Sequence, residues 1–159
     1  MHVPEFLTAA NANTDYMTPE MIVMGGDIKD CQYYKDVVVQ ADKTNTMSTK
    51  FVATDIGTAS AMKYYANSFL ATKVVFNNQF AEWCKLQGID WDSLATINKL
   101  DKRLGHTHWA VPGPDGMLGY GGYCFPKDVS ALTHSEHGES LSLLKHQFEV
   151  NGKIRSKNS

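Results

Sequence analysis

Long apolar runs are missing from this chain: stretches such as Val37 to Val39 fall far short of the roughly 20 residues that span a bilayer. Nor does a basic segment followed by an apolar block open it as a signal peptide would. Charge of one sign is missing too. Fifteen Lys and Arg face 17 Asp and Glu in 159 residues, a formal net charge of -2, with no long run of either sign. That balance speaks against nucleic acid or a membrane surface as partner. Cysteine is scarce: Cys31, Cys84 and Cys124 are odd in number and form no CxxC pair, which excludes a disulfide framework and leaves room for one functional thiol. A soluble protein of the reducing cytoplasm is expected. His106 with His108, and His134 with His137, have no matching cysteine or carboxylate cluster, so no metal is expected. Finally, no GxGxxG follows a strand, and neither Gly25-Gly26 nor Gly119 to Gly122 replaces that dinucleotide-phosphate turn.

What is present divides in two. Val3 to Leu7 reads as a strand end, Thr8 to Thr18 as a polar connection, and Met21 to Met24 as a short strand closed by Gly25-Gly26. Asp30 is positioned to cap a helix from Cys31 to about Ala41, and Phe51 to Ala53 suits a last short strand. Residues 1–50 therefore read as the remnant of an α/β sheet, and residues 51–159 as a helical domain. Between Thr58 and Leu86, Ala61, Met62, Tyr65, Phe69, Val75, Phe76, Phe80 and Trp83 recur near helical spacing, which predicts one helix of about 45 Å ended by Gly88. A second helix capped by Asp90 or Asp92, a long loop from Gly105 to Pro126, and helices near Lys127 to His137 and Ser140 to Ile154 complete an α+β chain that is mostly α. A loop of that length in a compact domain usually carries function.

That loop ends in Gly119-Tyr120-Gly121-Gly122-Tyr123-Cys124-Phe125-Pro126-Lys127-Asp128. Glycines let a backbone approach a ligand closely, and a helix N-terminus favours a thiolate and nearby anions, so the setting suits a nucleophile. The plainer alternative is a small packed hydrophobe. On the long helix Lys63 and Asn67 stand four apart and share a face, although lysine and asparagine are more often simply exposed.

These segments resemble, in order, the motifs of the UDP-glucose/GDP-mannose dehydrogenase family. Gly121 to Asp128 is similar to GGxCFPKD, Pro4 to Leu7 to PEFL, Lys63 to Ala71 to KYxxNxFLA, and Asp101 to Gly105 to DxRIG. Four ordered motifs covering nearly the whole chain are specific where one would be weak. The resemblance implies the end of a Rossmann-like sheet followed by the central dimerisation domain. It also implies NAD-dependent oxidation of a nucleotide-sugar C6 hydroxyl to a carboxylate. On that pattern Cys124 attacks at the aldehyde level and carries a thioester, while Lys63 and Asn67 hold an oxyanion and the attacking water. Losing one such donor typically costs about 2.7 to 4 kcal/mol of barrier. Asp128 and Glu5 match carboxylates that position or activate water, either of which could be the base. Phe6, Leu7, Arg103 and Gly121 match substrate-binding positions, Arg103 by reaching a sugar nucleotide across a dimer interface, and Lys127 approaches the cofactor.

Two departures accompany the match. PEFL continues as Thr8-Ala9-Ala10, so Ala9 supplies no carboxylate where the family usually has one, and Val111 to Gly116 adds VPGPDG relative to shorter family members, although a similar loop occurs in some branches. The missing GxGxxG and the polar tail from Lys153 to Ser159 lead to the expectation of about a third of an enzyme, split or fragmentary, that works only with flanking domains supplied separately. A non-catalytic helical dimerisation remnant is the competing reading. UDP-glucose, GDP-mannose and UDP-N-acetylmannosamine are all candidate substrates, UDP-glucose first among them.

Overall fold

The computed structural model describes residues 1–6, 12–41 and 48–157. The chain folds as two compact units, Met1–Tyr65 and Ala66–Ser159.

The first unit is built around a two-stranded parallel sheet. β1 (Met21–Gly25) pairs with β2 (Lys50–Thr54) in the register Met21 to Lys50 through Gly25 to Thr54, and α2 (Ile28–Ala41) lies between them in sequence. Val23 and Met24 are buried, as is Cys31, whose thiol donates to the Met24 carbonyl at 3.6 Å. Gly25 is required by a close approach: a Cβ there would stand 2.7 Å from the Ala59 Cβ and 2.8 Å from the Ile56 Cα.

Three expectations are corrected here. Val3 to Phe6 form no strand, and an antiparallel bridge between His2 and Gly25 joins the N-terminus to the sheet. Within the connection expected to be irregular, α1 (Ala12–Met17) forms a short helix. α2 begins before Asp30, because the Asp27 carboxylate accepts from the Lys29 N–H at 2.8 Å and supplies the cap.

α3 (Ile56–Gln87) runs for 32 residues. Asp55 caps its start by accepting from the Thr58 N–H at 2.8 Å and the Thr58 hydroxyl at 2.5 Å. Gly88 stops it at φ 70°, a left-handed C-terminal turn that glycine adopts without strain.

The second unit adds α4 (Trp91–Asn98), α5 (Cys124–Thr133) and α6 (Ser142–Ser156), with a 3-10 turn at Gly138–Ser140. Asp90, rather than Asp92, caps α4 by accepting from the Ser93 N–H at 2.8 Å. α5 starts three residues earlier than expected and ends at Thr133. Pro126 is tolerated as its third residue, where the missing N–H would have had no helical partner. The core of this unit is Ala71, Val75, Tyr120 and Val129, flanked by Phe125, Phe148 and Ile154. Full burial of a side chain such as Val129 stabilises by roughly 1.5 to 3 kcal/mol.

The loop before α5 is held by donors from α3. Lys73 reaches the carbonyls of Leu104 (2.9 Å) and Thr107 (2.5 Å), and the Asn77 amide donates to that of His108 (2.9 Å). Those contacts take the place of a strand partner for irregular backbone.

Candidate active site

Cys124 is the first residue of α5 and is exposed, while Cys31 and Cys84 are buried. The turn before it is shaped by Gly119 and Gly122, at φ 75° and 73°, values that a side chain would strain. Exposure and placement at a helix N-terminus fit a thiol that meets a ligand, and they remove the packed-hydrophobe alternative for this cysteine.

One turn along α5 stands Asp128, its side chain only 2% exposed. A buried carboxylate is costly unless it is paired. Here it accepts from the Asn67 amide of α3 at 2.6 Å and is ion-paired with Lys127, whose ammonium also lies 5.9 Å from the Tyr123 ring centroid. Asp128 therefore sits inside the helix and not at its cap. Spaced four apart, Cys124 and Asp128 occupy the same side of α5. The second unit thus joins Asn67 of α3 to Asp128 and Lys127 of α5, the helix that Cys124 begins, with Gly121 three residues upstream.

In the first unit, Lys63 and Glu5 form an ion pair at 3.8 Å. Phe6 lines a cavity of about 690 Å³ with Pro4, Glu5, Tyr16 and Tyr34. Leu7 lies outside the described residues. Arg103 stands apart from the cysteine network: its guanidinium is held by the Asp101 carboxylate at 2.5 to 3.1 Å, which raises the arginine pKa and lowers that of the aspartate. It borders an aromatic cavity of about 500 Å³ with Phe76, Phe80, Trp91 and Trp109, where the Lys73 ammonium lies 4.4 Å from the Trp109 ring centroid. Burial lowers the Lys73 pKa. No group of three or more His, Cys, Asp or Glu capable of holding a metal occurs among the described residues, and no described helix is long and apolar enough to cross a membrane.

Sequence reasoning missed two side chains that touch the cysteine turn, Asn78 and Asn151, both buried. An amide inside a helix beside apolar neighbours was the available signal, since asparagine favours caps and turns over helix interiors.

Residues 57–153 match the family model described as the UDP-glucose/GDP-mannose dehydrogenase family, central domain. Similar proteins include the UDP-glucose 6-dehydrogenase of Rickettsia bellii, 40% identical over 129 residues that make up 81% of this chain and 28% of that protein. That of Rickettsia prowazekii is 34% identical over 162 residues, 98% of this chain and 34% of its relative. Among solved structures, a UDP-glucose dehydrogenase from the archaeon Pyrobaculum islandicum superposes with a TM-score of 0.77 at 31% identity, covering 98% of this chain and 33% of that one. The chain accordingly spans about a third of the length of the relatives it matches. By sequence and by fold, it belongs to the UDP-glucose/GDP-mannose dehydrogenase family.

Proposed function

We propose that this chain supplies the cysteine chemistry of an NAD-dependent nucleotide-sugar 6-dehydrogenase acting on UDP-glucose. The observation that carries the reading is Cys124 exposed at the start of α5, one turn before a buried Asp128 held by Asn67 and Lys127. On this reading residues 1–50 are the C-terminal part of a cofactor-binding domain and residues 51–159 the central domain, which forms a homodimer.

NAD fits this chain only in part. β1, α2 and β2 make a parallel βαβ unit, yet the turn after β1 is Gly25-Gly26-Asp27 and does not carry the glycine-rich motif that cradles the cofactor's phosphates. When bound, NAD accepts the hydride in each of the two oxidations. The rest of the chemistry falls to side chains. The Cys124 sulfur adds to the C6 aldehyde, making the C–S bond of a thiohemiacetal; loss of its C6 hydrogen as hydride, and of the hydroxyl proton, leaves a thioester. Water then adds to the carbonyl, the C–S bond breaks, and carboxylate and thiol are released. Lys63 stabilises negative charge at oxygen and Asn67 orients the water, while Asp128 or Glu5 takes its proton. Phe6, Leu7, Gly121 and, across the dimer, Arg103 bind the substrate, and Lys127 approaches the cofactor.

The test is single-turnover rapid quench on the chain assembled with the segments its relatives carry. Cys124→Ser is expected to reach the aldehyde level and nearly stop there, because an alkoxide is harder to generate than a thiolate and an ester hydrolyses more slowly than a thioester. Lys63→Ala is expected to slow both oxidations by roughly two to three powers of ten. Formation of the uronic acid by Cys124→Ser at the wild-type rate would remove the covalent role.

A further inference from the structure

The turn that precedes Cys124 is gripped by side chains from two helices. Asn151 of α6 accepts from the Tyr120 N–H through Oδ1 at 2.8 Å and donates to the Tyr120 carbonyl through Nδ2 at 3.0 Å. One amide thereby satisfies both backbone groups of a buried residue, as a neighbouring strand would. Asn78 of α3 accepts from the Gly119 N–H at 2.9 Å, and its own amide is oriented by donating to the Val74 carbonyl at 2.8 Å. All three residues are nearly excluded from solvent, at 7% exposure for Asn151, 5% for Asn78 and 4% for Tyr120. Water is poorly placed to replace either amide.

Two glycines of the turn approach side chains of α6 closely, while Gly122 faces open space. A Cβ on Gly119 would come within 2.6 Å of the Asn151 Oδ1, and one on Gly121 within 2.7 Å of the Arg155 guanidinium carbon. From Tyr120 the restraint passes to the thiol's neighbour, because the Tyr120 ring meets Phe125 edge-on with centroids 6.0 Å apart. Phe125 directly follows Cys124. Both the backbone before the cysteine and the side chain after it are thus tied to the same clamped residue.

We propose that Asn151 and Asn78 are positioning residues, which hold the Gly119 to Gly122 turn and so fix where the Cys124 thiol is presented. The proposal rests on the reading of Cys124 as nucleophile. A turn of this kind, rich in glycine, is costly to order, and a displacement of about 1 Å at a reacting atom can cost roughly a hundredfold in rate. Two buried asparagines in helix interiors are otherwise unfavourable choices.

Alkylation of the full chain by iodoacetamide tests this, with each cysteine followed separately by mass spectrometry and the urea-unfolded chain as reference. Asn151→Asp keeps an acceptor for the Tyr120 N–H but sets a carboxylate oxygen against the Tyr120 carbonyl, and Asn78→Ser withdraws the acceptor from Gly119. In each variant the Cys124 rate is expected to shift from the wild-type value toward the unfolded-chain value by roughly threefold or more, the scale of a helix terminus acting on an adjacent charge. Buried Cys31 and Cys84 are expected to stay protected. Unchanged Cys124 rates in both variants would overturn the proposal, as would a wild-type thiol already reacting at the unfolded rate. Loss of Cys84 protection in both would also overturn it, showing that the amides hold up the fold instead of placing the thiol. Should only one variant open, the other decides. Alkylation reads placement whether or not a thioester forms, so this result is independent of the fate of Cys124→Ser.

Discussion

His108 lies in the loop before α5 and packs against that helix. Its backbone sits at φ 64°, in the left-handed region that few residues other than glycine adopt, and its ring packs against Phe125 of α5 with centroids 5.4 Å apart. The Asn77 amide fixes its carbonyl and the Thr107 hydroxyl meets its Nδ1 at 2.8 Å. Burial, with the charge of Lys73 adding to it, lowers the His108 pKa. The folded state therefore prefers the neutral ring. Above the ordinary value of about 6.5 both folded and unfolded chains carry it neutral; below that, the unfolded chain binds the proton first, so stability falls as pH falls until the folded value is passed. Asn tolerates the left-handed backbone, so His108→Asn isolates the ring from the turn. Melting temperature measured from pH 7.5 downward is expected to decline less steeply in this variant than in wild type. Parallel curves would show that the ring's proton is not linked to folding. The Asp55, Asp90 and Asp115 carboxylates do not confuse the comparison, because hydrogen bonds from Thr58, Ser93 and Arg155 lower their pKa values and confine their effect to more acid solution.

At the scale of elements, α3 carries the most information in the chain. In its later turns Phe76 and Phe80 have ring centroids 5.7 Å apart, and Phe80 and Trp83 have centroids 5.2 Å apart. Phe76, Trp83 and Leu86 nevertheless remain 60%, 47% and 78% exposed. An apolar surface of that kind is usually covered by a partner, and the occupant proposed for it is a second copy of the chain. Light scattering at micromolar concentration is expected to give a dimer, and Phe76→Asp to give a monomer that stays folded. A wild-type chain that is strictly monomeric would eliminate this interface. The helix itself was readable because apolar residues recur over thirty positions with no Pro and with Gly88 as a stop. α1 was not readable, since six residues are too few for a period to emerge from polar sequence. The beginning of α5 was missed by three residues because Pro126 suggested a boundary, when proline is compatible with a first turn.

For the molecule as a whole, four ordered motifs, GGYCFPKD among them, pointed to the family whose central-domain model matches residues 57–153. The contacts among them were less legible. That Asn67 lies on Asp128 could be anticipated only from the family, and the roles of Asn78 and Asn151 follow from packing between helices far apart in sequence, which no local pattern encodes. The tryptophans have a consequence of another sort. Trp83, Trp91 and Trp109 are the chain's three indoles, and all belong to the unit Ala66–Ser159. Emission excited selectively at tryptophan therefore reports that unit alone, while far-ultraviolet circular dichroism reports helix and strand in both. Denaturation curves recorded by the two methods superimpose only when the units unfold together, so the protein carries an intrinsic gauge of its own cooperativity that needs neither label nor substrate.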